Sequence, residues 1–136
     1  METLPSGLPE HVGDEEDLAR FLTQSNQFSG SRVKPSAFLP HPTHRNTSVF
    51  RTGSDPARLR DTWNQSNRGN RPLRGVAICK AKHVRAAGLD VIALEPPPTH
   101  ANVEGWPWLE NDVDLQKAQQ LEYANQIAAE ATVVIL

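Results

Sequence analysis

Apolar residues along this chain come in short bursts separated by polar and turn-forming stretches, and the spacing inside each burst predicts its conformation. In DEEDLARFLTQ, Leu18, Phe21 and Leu22 fall at i, i+3 and i+4, the spacing of one helical face. Asp14 ahead of them is a capping residue type, and the acids that follow suit the positive end of a helix dipole. A helix is therefore expected here, closed by the turn formers of SNQFSGS. RVKPSAFLP and NTSVFRT alternate in part and read as short strands, with Pro35 marking the first as an edge or a broken strand. GSDPARLRDTWNQSN predicts a second helix. Ser54 or Asp55 caps it, Pro56 takes its first position, and Leu59 and Trp63 lie four apart.

LRGVAICKA and GLDVIALEP are the best strand candidates, aliphatic and bounded by Gly and Pro. KHVRAAG between them is shorter than the dozen or so residues a parallel crossover usually needs, so an antiparallel pair with a wide or one-turn helical connection is expected. DVDLQKAQQLEYANQIAAEA carries the strongest helical period: Ala118, Leu121, Ala124, Ala128 and Ala131 recur at three and four, with Leu115 and Ile127 beside them. The β-branched TVVIL that follows favours a terminal strand or an extended tail. Together these elements predict a single α+β domain over residues 14–136, a small, mostly antiparallel sheet with flanking helices. A loose Pro- and Gly-containing lead-in occupies residues 1–13.

Length and composition change this picture little. The chain of 136 residues is long enough to bury a core without staples, and its single cysteine, Cys79, excludes an internal disulfide and a cysteine-based zinc finger. No apolar run approaches the roughly 20 residues of a membrane span. The opening METLPSGLPEHVGDEED has neither a basic start nor an apolar stretch of the secretory kind. A cytoplasmic protein with no membrane partner is expected.

Charge changes the picture more. Residues 1–19 hold Glu2, Glu10, Asp14, Glu15, Glu16 and Asp17 and no Lys or Arg. Residues 20–85 hold thirteen of the fourteen Lys and Arg residues against Asp55 and Asp61 alone, and the remainder is acidic apart from Lys117. Either these blocks face one another in the fold as ordinary ion pairs, or the basic middle forms a patch for an anion.

Candidate chemistry concentrates in EPPPTHANVEGWPWLE, Glu95 to Glu110. Its prolines make it stiff, and in an extended chain His100 shares a face with Asn102 and Trp106 with Trp108. Trp106, Trp108 and Asn102 form a candidate ligand or partner surface, and His100 is a candidate general acid or base. The competing reading makes at least one of the tryptophans an anchor to the core. In SVFR, Ser48 is a candidate nucleophile if a histidine reaches it, and Arg51 a candidate clamp for phosphate or carboxylate, with Arg45 as a second cation. His41 and His44 stand at an H-x-x-H spacing, but Pro42 between them disfavours the helix that a metal pair needs, and a polar turn is the simpler expectation. Arg58, Arg60, Arg68, Arg71 and Arg74 form a candidate surface for a nucleic-acid backbone. Walker, dinucleotide-fingerprint and zinc-protease motifs are absent, and no cofactor is expected.

Three functions fit these features. The first is a binding module that presents the Pro/Trp loop to a protein partner or an anionic ligand. The second is a metal-independent His/Arg enzyme on a phosphate-bearing substrate, RNA or nucleotide, using His100, Arg51 and Arg45. The third is a protein that binds nucleic-acid backbone.

Overall fold

The computed structural model describes residues 2–66 and 71–136. Its centre is a six-stranded antiparallel sheet built from β1 (Asp17–Leu22), β4 (Thr47–Phe50), β5 (Gly75–Lys80), β6 (Asp90–Ala93), β7 (His100–Glu104) and β8 (Thr132–Val134). The strands lie in the order β6-β7-β4-β1-β5-β8. A two-residue hairpin, β2 (Phe28–Ser29) with β3 (Arg32–Val33), stands apart as a second sheet. Three helices complete the α+β domain: α1 (Pro56–Ser66), the short α2 (Ala81–Ala86) and α3 (Val113–Glu130).

The first apolar burst is a strand, β1, and not the expected helix. Leu18 and Leu22 are buried on one face of the sheet, while Ala19 and Phe21 are buried on the other. A central strand covered on both sides shows apolar residues at nearly every position, and five such positions imitate an i, i+3, i+4 stripe. Burial between β4 and β5 overrides the helical reading. In RVKPSAFLP the strand stops at Val33, because Pro35 opens a 3-10 turn over Pro35–Ala37 that delivers Phe38 into the core.

The expected pairing of GVAICK with DVIA is also overturned. β5 and β6 are separated by β1, β4 and β7, and α2 carries the chain across one face of the sheet between them. β7 occupies the place beside β6, with Ile92 opposite Asn102 and Ala93 opposite Ala101. The two helices after Pro56 and Asp112 and the terminal strand stand where expected, although Ala118, Leu115 and Leu121 of the expected α3 stripe are exposed. Arg58 N–H donates to the Asp55 carboxylate at the start of α1, and the Asp112 side chain accepts from Leu115 N–H at the start of α3. The terminal TVV pairs with β5 as β8. On α3 the buried stripe is Gln120, Ala124, Ile127 and Ala128, while Leu115 and Leu121 are exposed. Gln120 turns inward because its amide donates to the Pro107 carbonyl.

Alternation along the strands sorts the core into two layers. Leu18, Leu22, Val49, Ala77, Cys79, Ala101 and Val103 face α2 and α3, and Trp106 packs with them. Ala19, Phe21, Phe50, Val76 and Ile78 face α1 through Leu59 and Trp63. The acidic N-terminal block lies against the basic block of the same chain. Asp14 pairs with Arg85, Glu15 with Lys82 and Lys80, Glu16 with Arg51, and Asp17 with Lys80. Residues 2–13 are tied down by a bridge between Thr3 and Pro9, by Ser6 on the Glu95 carboxylate and by burial of Val12. Among the described residues, no helix is long and apolar enough to cross a membrane.

Candidate active site

The second face of the sheet carries the most concentrated chemistry. β4 and β7 pair antiparallel, with Ser48 opposite Asn102 and Phe50 opposite His100. Ser48 and His100 therefore stand on the same face as diagonal neighbours, within reach of each other. Ser48 Oγ lies 2.7 Å from His100 Nε2, and His100 Nδ1 lies 2.8 Å from the Leu94 carbonyl oxygen. A carbonyl only accepts, so Nδ1 carries the proton of the neutral ring and Nε2 accepts from the Ser48 hydroxyl. Serine hydroxyl, imidazole and backbone carbonyl are thus joined in series, an arrangement in which a histidine can act as base toward a serine.

This pair opens into a cleft of about 700 Å³. Ser48, Phe50, His100 and Phe21 belong to the sheet, Trp63, Gln65 and Ser66 to α1, and Thr23, Gln27 and Pro97 to loops that close its ends. Arg20 and Arg71 also line it, and no carboxylate stands among the described lining residues. Arg20 comes from β1, where pairing with β4 is limited to Ala19 opposite Phe50. Past that pair, the Arg20 guanidinium takes up two backbone carbonyls, one in β4 and one in the 3-10 turn Pro35–Ala37. Nη1 donates to the Ser48 carbonyl at 3.1 Å and Nε to the Ala37 carbonyl at 2.9 Å. Burial pulls its pKa below the ordinary arginine value, and the group remains cationic. Among the described residues, no carboxylate is within ion-pair distance of it. The result is a fixed positive charge hydrogen-bonded to the very residue that carries the serine hydroxyl.

The structure distributes the sequence-derived candidates unevenly. His100 and Ser48 meet, and Asn102 shares their face but is buried outside the cleft lining. Arg51, the expected anion clamp, is elsewhere. It follows Phe50 by one position, so alternation turns it away from His100. Its side chain is 0% exposed and bound by Glu16 at 2.7 and 3.0 Å and by the Pro9 carbonyl at 2.8 Å. Arg45 is likewise remote from the cleft, pairing with Glu110 and lying 4.9 Å from the Trp108 ring centre. Trp106 is buried with its indole N–H on the Val103 carbonyl, so it is the core anchor, and Trp108 is half-buried beneath Arg45.

Of the arginines considered for nucleic acid, Arg71 lines the cleft, Arg58, Arg60 and Arg74 are exposed, and Arg68 lies outside the described residues. His41 uses Nδ1 to accept the backbone N–H groups of Thr43 and His44, which makes HPTHR a polar turn. Burial, with a further contribution from nearby Asp17, pushes the Cys79 thiol up to about 12, so it packs as a small apolar side chain.

Arg20 is the residue that sequence reasoning missed. Its signal was present: a single arginine inside LARFL is unremarkable on a helix but conspicuous in a strand buried on both faces. Comparison with family models, with curated proteins and with solved structures finds no match for this chain.

Proposed function

We propose that this protein is a small enzyme acting on a phosphate-bearing substrate, RNA or nucleotide, in the cleft between α1 and the sheet. The observation that carries this reading is the Ser48–His100–Leu94 carbonyl series at the edge of a cleft that holds two arginines and no described carboxylate. In the reaction, Ser48 Oγ attacks phosphorus and its proton passes to His100 Nε2. The bond to the leaving oxygen breaks, and that oxygen takes the proton back from Nε2. Water then attacks phosphorus and gives its proton to His100 Nε2, the Oγ–phosphorus bond breaks, and Ser48 Oγ takes that proton back. Arg20 supplies fixed positive charge where negative charge grows on the phosphoryl oxygens, which needs no reorganisation during the reaction. The lack of a carboxylate beside it favours anions over cations as ligands.

The test is product analysis of the protein with nucleoside monophosphates, cyclic nucleotides and short single-stranded RNA, together with mass spectrometry for phosphate on Ser48. His100→Ala is expected to lower turnover by about 10²–10⁴-fold while leaving the melting temperature near that of the parent. Ser48→Ala is expected to remove both turnover and the adduct. Absence of product and adduct across the whole panel overturns the proposal.

A further inference from the structure

The cleft floor is not a random apolar surface. Trp63 packs on Phe21 with ring centres 5.3 Å apart, Phe21 on Phe50 at 5.4 Å, and Phe50 on His100 at 5.3 Å in an edge-on arrangement. Four rings therefore run in series from α1 to the Ser48–His100 pair, and all four line the cleft. Two side-chain amides also line the cleft, Gln65 from α1 and Gln27 from the 3-10 turn Ser25–Gln27. Gln27 uses Oε1 to accept the N–H groups of Thr23 and Gln24, which orients its NH₂ group as the remaining donor. Gln65 is exposed on α1, with both its donor and its acceptor available among the described residues. At the other end stand the cation Arg20 and the serine hydroxyl. Trp63 and Gln65 thus mark the α1 end of the ring series and Ser48, with Arg20 on its carbonyl, the other, while Arg71 also lines the cleft.

We propose that the α1 end is a nucleobase subsite, so that the ligand is a nucleotide unit with its base against Trp63 and its phosphate at Arg20 and Ser48. This rests on the phosphate-bearing reading above and narrows it. Trp63 is half-buried, packs on Phe21 and lines the cleft. A base stacks on a ring held in this way. Amide side chains then meet the donor and acceptor edge of the base, as glutamine does at exposed base edges. A cleft of about 700 Å³ falls within the range typical of sites that enclose a small organic ligand. A bare phosphate or a sugar phosphate would leave the aromatic end filled only by water.

The experiment is a binding titration, followed by equilibrium dialysis, of the four nucleoside 5′-monophosphates, ribose 5-phosphate and inorganic phosphate to the full chain. At least one nucleoside monophosphate is expected to bind about tenfold more tightly than ribose 5-phosphate, the gain typical of one base–aromatic stack. Trp63→Ala is expected to erase that gain and leave ribose 5-phosphate binding unchanged. Because Trp63 also helps hold α1 on the sheet through Phe21, the exposed Gln65→Ala serves as a second variant, with a smaller loss confined to the nucleoside monophosphates. Equal affinity for ribose 5-phosphate and all four monophosphates overturns the nucleobase subsite and leaves the phosphate site standing. If inorganic phosphate, ribose 5-phosphate and the monophosphates all fail to bind, both proposals fall together.

Discussion

Arg51 and Arg20 are both sunk into the sheet, one on β4's trailing edge behind the N-terminal segment and the other on β1 beside the cleft. Arg51 meets the Glu16 carboxylate through two nitrogens, and two backbone carbonyls take most of what remains. Arg20 meets two carbonyls, with no carboxylate near it among the described residues. The first is a closed structural unit whose charge is cancelled where it stands. The second keeps its charge and presents it to a cavity. A half-buried cation with no counter-ion among the described residues is costly, and perturbed charges of this kind gather at functional sites. The difference separates an arginine that holds the fold from one that lines a candidate site, although the two look alike in sequence.

The largest expected effect lies on the structural side of that comparison. Removing one partner of a buried ion pair leaves the other uncompensated, which typically costs about 3–5 kcal/mol. Arg51→Ala is therefore expected to lower the urea unfolding free energy by roughly 3 kcal/mol, with no effect on anion binding beyond that of the unfolded fraction. A loss below about 1 kcal/mol would place Arg51 among ordinary surface pairs and collapse the contrast.

The same region sets the acid response. Burial raises the Glu16 carboxyl pKa, but hydrogen bonds from Arg51 and the Gly13 amide together with the Arg51 charge outweigh it, so the group is held below the usual carboxylate range. Asp90 is held low by the Val91 amide against opposing burial, with Arg85 assisting. At Glu95 burial pulls the other way and is outweighed by Ser6 and Thr99. A carboxylate whose folded pKa is depressed contributes stability that is present above its unfolded pKa and disappears as pH falls through the folded one. Unfolding in a pH series is thus expected to begin below about pH 4, near the unfolded carboxylate values, and Glu16→Gln should flatten that slope. A variant with the parent's acid profile would show that Glu16 is not the group titrating.

How much of this was legible in the sequence follows from the same two arginines. The helix at Pro56, the long helix after Asp112 and the aliphatic GVAICK were readable because each depends on local pattern and on caps. β1 was not, since a strand buried on both faces has no alternation to display, and Leu18, Phe21 and Leu22 fit a helical face equally well. With β1 read as a helix, Arg20 became an ordinary surface residue and the cleft lost its cation. His100 and Ser48 were each recognisable as reactive types, but their meeting depends on the register of β4 against β7, a pairing across some fifty residues that no local pattern encodes. Arg51 was misplaced for a simpler reason: one position along a strand reverses the face.

On the cleft side the expected effect on stability is smaller and that on binding larger. Arg20→Gln removes a charge and weakens two hydrogen bonds to carbonyls, each worth about 1 kcal/mol net, so a loss near 2 kcal/mol is expected in the same urea assay. The substitution also relieves a desolvated cation, which works against that loss. Phosphate affinity should fall by at least tenfold, the effect of losing one charge-assisted contact of about 1.5–3 kcal/mol. Arg20→Lys should recover part of the affinity, because the charge returns while the forked geometry does not. Unchanged phosphate affinity in Arg20→Gln would remove Arg20 from the site and leave Arg71 as the cation of the cleft lining.

Arg45 supplies the third case and the smallest effect. It is exposed, its pair with Glu110 joins side chains that are 52% and 78% accessible, and it rests on the Trp108 ring. Water screens the pair to less than about 1 kcal/mol, and a cation–π contact at an exposed site adds about 0.5–1 kcal/mol. Arg45→Ala is therefore expected to cost under roughly 1.5 kcal/mol, with the ion-pair part vanishing in 1 M salt. Trp108 should report the change directly, since uncovering its ring shifts tryptophan emission to the red, while the buried Trp106 holds its signal. Phosphate binding should not move. If it did, the Pro/Trp loop would share in the site, and the division between arginines that build the fold and the one that serves the cleft would have to be redrawn to include the surface of that loop.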